Sequence, residues 1–450
     1  MKGDGELLDL ADRVASWARD GEQVEAYASR SRDTDVRVFE GDVESLSSSE
    51  SEGIGVRVVA GGRQGFAYAG TLDPSVLEEV LGEARDNAAF GAVDDCYGLP
   101  VPDGVAVADL DLFRPELGQF PTARKVELAL ELERATRAAD ARVRGVETAE
   151  YGDGMSESAI VTSEGIRATA RRTVCSLVAY AIAGEGSETQ TGFGYSVARR
   201  PDDLDVAAAA GDAAERATRL LGARQPASRR LTVVLEPRVT ASLLGIVAGA
   251  IGGDAVVKGR SMFVDRLGEA VAVGSLTLVD DPTTPEAYGA TPYDAEGLAT
   301  RRNVVIDGGV LRSFLHNAYT GRRAGAGSTG SAVRGGFKST PGAGARALSL
   351  VPGDRSPEEL VAAVGDGVVV QSVTGLHSGA NPVSGDFSVG VEGLMVRDGA
   401  LAEPVREATI ASTLQRMLKD VVAIGSDLEW LPGGAAGVTV VIGDVTLSGS

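Results

Sequence analysis

The sequence predicts an α+β protein, with a mixed α/β domain at residues 1–225 followed by a β-rich domain with a few helices at residues 226–450. In the first half, segments with helical periodicity alternate with β-like runs, whereas hairpin patterns dominate the second half. A chain of 450 residues is also too long for one ordinary core. Its 59 glycines indicate many turns and argue against a helical bundle.

The first predicted element is a helix whose apolar face runs from Leu7 to Ala18. Asp73 and Pro74 are typical of an N-cap and a first helical position, so they predict the start of a second helix. The other elements predicted for this half are strands at 36–39, 43–46, 55–60, 65–69 and 167–183, and helices at 121–140 and 202–222.

A polar segment with a proline, residues 222–230, is interpreted as the boundary between the two domains. Beyond it, Ser356 and Glu359 show the spacing of a capping box ahead of a helix. The other elements predicted here are strands at 232–235, 438–442 and 444–447, helices at 237–251 and 409–420, and hairpins at 303–311 and 393–401.

Charge and composition exclude several classes of protein. The formal net charge is −21 and no basic cluster is present, which argues against binding to nucleic acid or to an anionic membrane. No uncharged apolar run reaches the ~20 residues of a membrane span, and residues 1–20 do not resemble a secretory signal. Cys96 and Cys175 share no motif, which fits a reducing compartment. We therefore expect a cytoplasmic protein.

The histidine content argues against a catalytic zinc site in this chain. Such a site needs about three His, Cys or carboxylate ligands, and the chain has only His316 and His377. His316 follows a predicted hairpin strand and is interpreted as structural. A magnesium or calcium site made of carboxylates alone stays open.

Two polar loops contain residue types that could bind phosphate or act in hydrolysis. Residues 325–330 are rich in glycine but lack the lysine of a phosphate-binding P-loop, so a close-packed loop is the better interpretation. His377, Ser384 and Asp386 lie within ten residues and could in principle form a hydrolytic triad. Triads are recognised by geometry, however, and no G-x-S-x-G elbow is present, so a hydrogen-bonded turn is the competing interpretation.

Several segments, in their order and spacing, resemble the TldD/PmbA family, and within it the PmbA branch, also called TldE. They are Val43–Leu46 with Gly53–Val58, Gly252-Gly253-Asp254 with Gly259–Ser261, Ser328-Thr329-Gly330, Val383–Ser388, and Ile424–Leu428. The resemblance extends over essentially the whole chain.

The resemblance implies a heterodimer in which a TldD-like partner carries an H-E-x-x-x-H motif and a cysteine, binds zinc and hydrolyses peptides. The positions of this chain that match the motif hold Leu244, Gly245 and Gly249, and the matching tail, residues 429–434, contains no cysteine. The resemblance therefore implies a non-catalytic subunit with no catalytic residue and no cofactor of its own, which closes the cavity over the partner's zinc and helps to bind peptide.

Two loops with polar side chains between glycines are predicted to contact the peptide, although ordinary surface turns would show the same pattern. The predicted substrate-binding residues are Thr329, Arg334 and Lys338, suited to a carboxylate, together with His377, Asn381, Ser384 and Asp386. Two other functions stay open: a stand-alone hydrolase that uses His377, Ser384 and Asp386, and a peptide-binding adaptor without catalysis.

Overall fold

A computed structural model describes residues 5–450, and it contains two six-stranded sheets with helices packed on them. The predicted α+β class is confirmed. The first sheet draws its strands from residues 22–198 and the second from residues 229–448. A domain division after residue 225 stays a prediction. No helix within residues 5–450 is long and apolar enough to cross a membrane.

The first sheet is antiparallel throughout, with the strand order β3-β2-β1-β4-β5-β6. Its strands are β1 (Glu22–Phe39), β2 (Asp42–Ala60), β3 (Arg63–Ala69), β4 (Val143–Thr162), β5 (Arg167–Ala183) and β6 (Gln190–Ala198). Helices α1 (Glu6–Ala15), α2 (Leu77–Phe90), α3 (Thr122–Ala139) and α4 (Val206–Thr218) bury their apolar sides against one face of this sheet. The opposite face turns towards the second half of the chain.

The strands of this sheet are longer than the sequence predicts. The runs at 36–39 and 43–46 are only the ends of β1 and β2, which also include the polar residues between 29 and 52. Strands β4 and β6 were missed, because their polar and glycine residues interrupt the apolar alternation on which the prediction depends. The last helix begins at Val206 and not at residue 202, since Asp205 caps it by accepting a hydrogen bond from the Ala208 N–H (2.8 Å).

The second sheet has the order β16-β15-β14-β7-β20-β17 and is mixed, since β7 and β14 run parallel. Its strands are β7 (Arg229–Leu235), β14 (Asp366–Thr374), β15 (Asp386–Arg397), β16 (Ala400–Thr413), β17 (Val421–Ile424) and β20 (Val440–Ser448). Helix α5 (Pro237–Ile251) packs on one face within the largest core, and helix α8 (Pro357–Ala363) packs on the other face.

The remaining elements are short. They are α6 (Gly253–Val257), α7 (Ala318–Arg323), α9 (Leu376–Gly379), α10 (Leu414–Lys419), β8 (Leu278–Asp280), β9 (Asn303–Asp307), β10 (Val310–Leu311), β11 (Ala332–Val333), β12 (Gly342–Ala343), β13 (Leu348–Leu350), β18 (Glu429–Trp430) and β19 (Ala436–Gly437). Between α6 and α8 most of the chain is irregular, which the hairpin patterns did not predict.

Several local predictions for the second half are confirmed. Helix α5 has the predicted bounds, and the Ser356–Glu359 capping box forms with hydrogen bonds in both directions. The hairpin at 393–401 turns at Asp398 and Gly399, both of which have positive φ. The predicted helix at 409–420 was wrong in its first half, because residues 409–413 complete β16 before α10 begins.

A buried ionic network ties the first sheet to the second half of the chain. Glu25 of β1 accepts hydrogen bonds from Arg57 of β2 (2.5 Å) and from Arg334 (2.6 Å). Arg57 also contacts Glu296 (3.1 Å), and all four side chains are at most 4% exposed. Since two of these charges come from each half, the network fixes the uncovered face of the first sheet against the C-terminal residues.

Candidate functional site

Two cavities lie between the uncovered face of the first sheet and the C-terminal half of the chain. Both use β5 as a wall: residues 168–172 line one cavity and the alternate residues from 174 to 178 line the other. We call them the basic cavity and the apolar cavity, after the side chains that line them.

The apolar cavity has a volume of about 590 Å³. Its walls are β5, β6, the outward side of α5 and a C-terminal segment. The lining residues are Val174, Ser176, Val178, Phe193, Tyr195, Val197, Arg238, Ala241, Ser242, Gly245, Ala248, Ala345, Leu431, Pro432, Gly434 and Ala435. Small residues on α5 leave the space that the cavity occupies.

The two segments that the resemblance matches to zinc-binding segments of a TldD-like protein meet at this cavity. Gly245 lies on the cavity side of α5, and Leu431 and Pro432 lie across from it. Gly249 is exposed, whereas Leu244 points into the core and is 2% exposed. Within residues 5–450, the structure contains no group of three or more His, Cys, Asp or Glu side chains that could hold a metal ion.

One cation and one phenol give the apolar cavity its polar character. The Arg238 guanidinium lies over the rings of Tyr195 (4.1 Å) and Phe193 (4.4 Å), and the Tyr195 hydroxyl donates to Glu429 (2.9 Å). Burial raises the pKa of Tyr195 above its usual value, and the neighbouring Glu429 carboxylate adds to this rise. Tyr195 is therefore a neutral hydrogen-bond donor at physiological pH.

The basic cavity has a volume of about 440 Å³ and is rich in hydroxyl and guanidinium groups. Serines of β1, β2 and β4 line one side, and residues 290–295 and 334–338 line the other. Its basic residues are Arg30, Arg171, Arg172, Arg334, Lys338 and Arg346, and its acidic residues are Glu157 and Asp294. The cavity is therefore positive, although the chain as a whole carries a formal charge of −21.

Three of these cations are not neutralised by an ion pair. Arg30 binds Glu157 (2.8 Å), but Arg172, Lys338 and Arg346 form no salt bridge with any residue from 5 to 450. Burial lowers the pKa of Arg346, and the positive charge of Arg172 lowers it further, whereas Asp294 acts in the opposite direction. The Nε atom of Arg346 is buried and has no hydrogen-bond partner among the described residues.

Arg334 serves the fold as well as the cavity. Its Nη2 donates to Glu25, its guanidinium lies over the ring of Tyr27 (4.5 Å), and its Nε and Nη1 have no partner within the described part of the chain. Burial alone would raise the pKa of Glu25, but the charges of Arg334 and Arg57 outweigh this effect and lower it. Arg334 is therefore held in the cavity wall by a buried ion pair.

The predicted substrate-binding residues of the 328–338 loop have different environments. Lys338 is exposed and lines the basic cavity together with Arg334. The Thr329 hydroxyl donates to the carbonyl oxygen of His316 (3.1 Å) and accepts from its N–H (2.8 Å). Thr329 thus holds the backbone of a neighbouring segment and lines neither cavity.

The other predicted residues lie in a separate, exposed loop that lines neither cavity. Ser384 donates to the Asp386 carboxylate (2.7 Å), and Asn381 accepts from the N–H groups of Val383 (2.9 Å) and Ser384 (3.3 Å). His377 is exposed on α9. This geometry is that of a hydrogen-bonded turn, since the Ser384 hydroxyl donates to a carboxylate and not to an imidazole.

The buried His316 and Cys175 have structural environments. His316 Nδ1 lies 3.2 Å from the Thr320 hydroxyl, and burial lowers the pKa of this imidazole. Burial raises the pKa of the Cys175 thiol to about 12, so the thiol is protonated.

Sequence reasoning missed most of the residues that line the two cavities. Arg172 and Arg346 are far apart in the sequence, and Ala241, Gly245 and Ala248 matter because they are small. The spacing of these three residues along one side of α5 was the available signal, but it is also the pattern of ordinary helix packing.

Comparison with known protein families defines the class of this protein. Models of three PmbA/TldA metallopeptidase domains match most of the chain. The model of domain 1 matches residues 24–88, that of the central domain residues 115–221, and that of the C-terminal domain residues 228–449. The chain therefore belongs to the PmbA/TldD metallopeptidase family.

Individual relatives agree with this assignment. The chain is 29% identical to the metalloprotease PmbA of Escherichia coli O157:H7, over 94% of this chain and 91% of that protein. It is 30% identical to a metalloprotease of Methanothermobacter thermautotrophicus, over 97% of this chain and 94% of that protein. The crystal structure of TldE from Thermococcus kodakarensis has the same fold, with a TM-score of 0.87 at 20% identity, over 99% of this chain and 100% of that one.

Proposed function

We propose that this chain is the non-catalytic, TldE-type subunit of a cytoplasmic heterodimeric zinc peptidase, and that it binds peptides which a TldD-like partner cleaves. The observation that carries the proposal is the apolar cavity between α5 and residues 431–435. The three α5 positions that match the zinc motif of the family hold Leu244, Gly245 and Gly249, none of which can bind a metal ion or accept a proton.

Binding a peptide and hydrolysing it with zinc need different groups in such a site. A catalytic zinc needs about three protein ligands, and its bound water needs a base that accepts a proton. The apolar cavity offers neither, but its size and its lining with few polar groups suit a ligand side chain. We therefore assign binding to this chain, and assign the zinc and the hydrolysis to the partner.

The test measures zinc content and peptidase activity for the chain alone, for a TldD-like subunit alone, and for an equimolar mixture. We expect zinc in the TldD-like subunit, no zinc and no activity in this chain, and the highest turnover in the mixture. A chelator should abolish that turnover. Stoichiometric zinc with chelator-sensitive cleavage by this chain alone would contradict the proposal.

The exposed loop that contains His377 and Ser384 allows a second comparison in the same assay. If this loop helps to form the substrate groove of the heterodimer, His377→Ala should raise the KM of the mixture without changing its zinc content. Ser384→Ala tests the stand-alone hydrolase, and we expect it to leave turnover unchanged. Cleavage by the chain alone that survives chelation and is lost in Ser384→Ala would establish the hydrolase instead.

A further inference from the structure

The basic cavity and the apolar cavity adjoin each other along the first sheet. On β5, Arg172 lines the basic cavity and Val174, the next residue on the same face, lines the apolar cavity. The same border recurs on the opposite wall, where Ala345 lines the apolar cavity and Arg346 lines the basic one. The two cavities thus form one groove. Along each of its walls, the lining changes from apolar to positive over at most two residues.

The dimensions of this groove suit an extended peptide. On β5, residue 170 lies in the middle of the stretch that lines the basic cavity, and residue 176 lies in the middle of the stretch that lines the apolar cavity. At ~3.3 Å per strand residue, these two residues are about 20 Å apart. A peptide that lies along β5 would therefore place about six residues between the two cavities. Its side chains would alternate in direction, so that every second one faces the sheet.

The charges of the groove define the group that its positive end would bind. Within residues 5–450, Arg172, Lys338 and Arg346 form no salt bridge, and buried donors of Arg334 and Arg346 have no hydrogen-bond partner. A buried donor without a partner is unfavourable, and like charges placed close together repel. A small anion with several acceptor oxygens would remove both penalties.

Resting on the proposed function, we propose that this groove binds an extended peptide by its free C-terminal carboxylate in the basic cavity and by an apolar side chain in the apolar cavity. The ligand class is a peptide with an apolar residue about six positions or fewer before its C-terminus. The non-catalytic subunit would thereby select peptides with free C-termini and hold them beside the partner.

Fluorescence anisotropy on the isolated chain tests the carboxylate. Two labelled heptapeptides of the same sequence, one with a C-terminal acid and one with a C-terminal amide, are titrated with protein. We expect the acid to bind at least about tenfold more tightly at low salt, and this advantage to shrink as salt is added. Equal affinity for the two peptides would overturn the proposal.

Variants locate the carboxylate. Arg172→Gln and Lys338→Gln change exposed side chains that form no salt bridge with the described residues, so together they should leave the fold intact and lower the acid-to-amide ratio, although Arg334 and Arg346 remain. The matched control is Lys258→Gln with Arg312→Gln, which removes the same charge outside both cavities and should keep the ratio. If the two pairs behave alike, the positive cavity does not bind the carboxylate.

The apolar end and the source of the anion are tested in the same assay. Gly245→Leu projects into the apolar cavity and should weaken acid-peptide binding about tenfold, whereas Gly249→Leu, on the same helix but outside the cavity lining, should not. Inorganic phosphate should displace the peptide only far above the peptide's Kd, and displacement near that Kd would overturn the peptide assignment. Because the assay needs neither zinc nor a partner, its failure is distinguishable from failure of the proposed function.

Discussion

Replacing Glu25 with Gln tests the ionic network that fixes the first sheet against the C-terminal half. Glu25 is 1% exposed and contacts two guanidinium groups, those of Arg57 (2.5 Å) and Arg334 (2.6 Å). The amide keeps the shape of the side chain but removes the negative charge. Glu296 would then be the only carboxylate left in the network. It contacts Arg57 (3.1 Å) but not Arg334, so Arg334 would lose its ion pair.

The expected decrease in the free energy of unfolding of Glu25→Gln follows from the burial of the ion pairs. Breaking a buried ion pair by removing one partner typically costs about 3–5 kcal/mol, because the other charge stays buried without compensation. The matched control is Glu127→Gln on α3, which removes the same charge from a pair that is more than half exposed. Solvent screens such a pair, so we expect no change beyond measurement error.

The two tryptophans allow each half of the chain to be followed in guanidinium titrations. Trp17 packs beside the first core cluster, and Trp430 lies near the C-terminal residues of another. One tryptophan is removed at a time, so that the fluorescence of the other reports the unfolding of its own half. In the parent chain, the unfolding transitions reported by Trp17 and by Trp430 should coincide. Glu25→Gln should unfold at lower denaturant and should separate the two transitions. Coincident transitions with the midpoint of the control would refute the reasoning.

The pH dependence of this effect has a definite sign. The pKa of Glu25 is lowered in the folded chain, because Arg334 and Arg57 outweigh the effect of burial. Its stabilising contribution is therefore present above the pKa of the unfolded state and is lost as pH falls through the lower folded pKa. The difference in stability between the parent and Glu25→Gln should be largest near neutral pH and should vanish in strong acid.

Two further predictions concern packing and thiol chemistry. Gly253→Ala places a Cβ 2.4 Å from the Thr320 hydroxyl, so it should lower the Tm and reduce the free energy of unfolding by about 1–3 kcal/mol. The control Gly249→Ala has open space around its Cβ and should not lower the Tm. Equal Tm values for the two variants would contradict this prediction. Cys175 is buried with a pKa of about 12, so a thiol reagent should modify only Cys96 in the native chain and both cysteines in denaturant; rapid modification of Cys175 in the native chain would contradict this.

The sequence predicted those elements whose signals are local. The capping box at Ser356, the N-cap at Asp73 and the bounds of α5 each depend on neighbouring residues. The long strands β1 and β2 could not be predicted at full length, because their polar stretches become strands only through pairing with each other and with β4. Residues 409–413 became a strand for the same reason, since they pair with β15.

For the candidate site, the sequence grouped residues by nearness in the chain, and the structure separates them. Lys338 and Arg334 do line one cavity, as their shared loop suggested. Thr329, from the same loop, hydrogen bonds to the backbone of His316, and Ser384 hydrogen bonds to Asp386 in a turn elsewhere. Their contact with peptide stays a prediction, which the variants Lys338→Gln and His377→Ala test for two of the predicted residues.

By itself the sequence determined the α+β class, the family, and the identities of the α5 residues at the positions that the resemblance matches to a zinc motif. These conclusions need only residue identity, periodicity and order along the chain. The tertiary structure alone decided that Arg172 and Arg346 line one cavity, and that Gly245 faces residues 431–435 across another. The physical reason is that a cavity is formed by side chains from distant segments, whose contacts are set by how the sheets and helices pack and not by their spacing in the sequence.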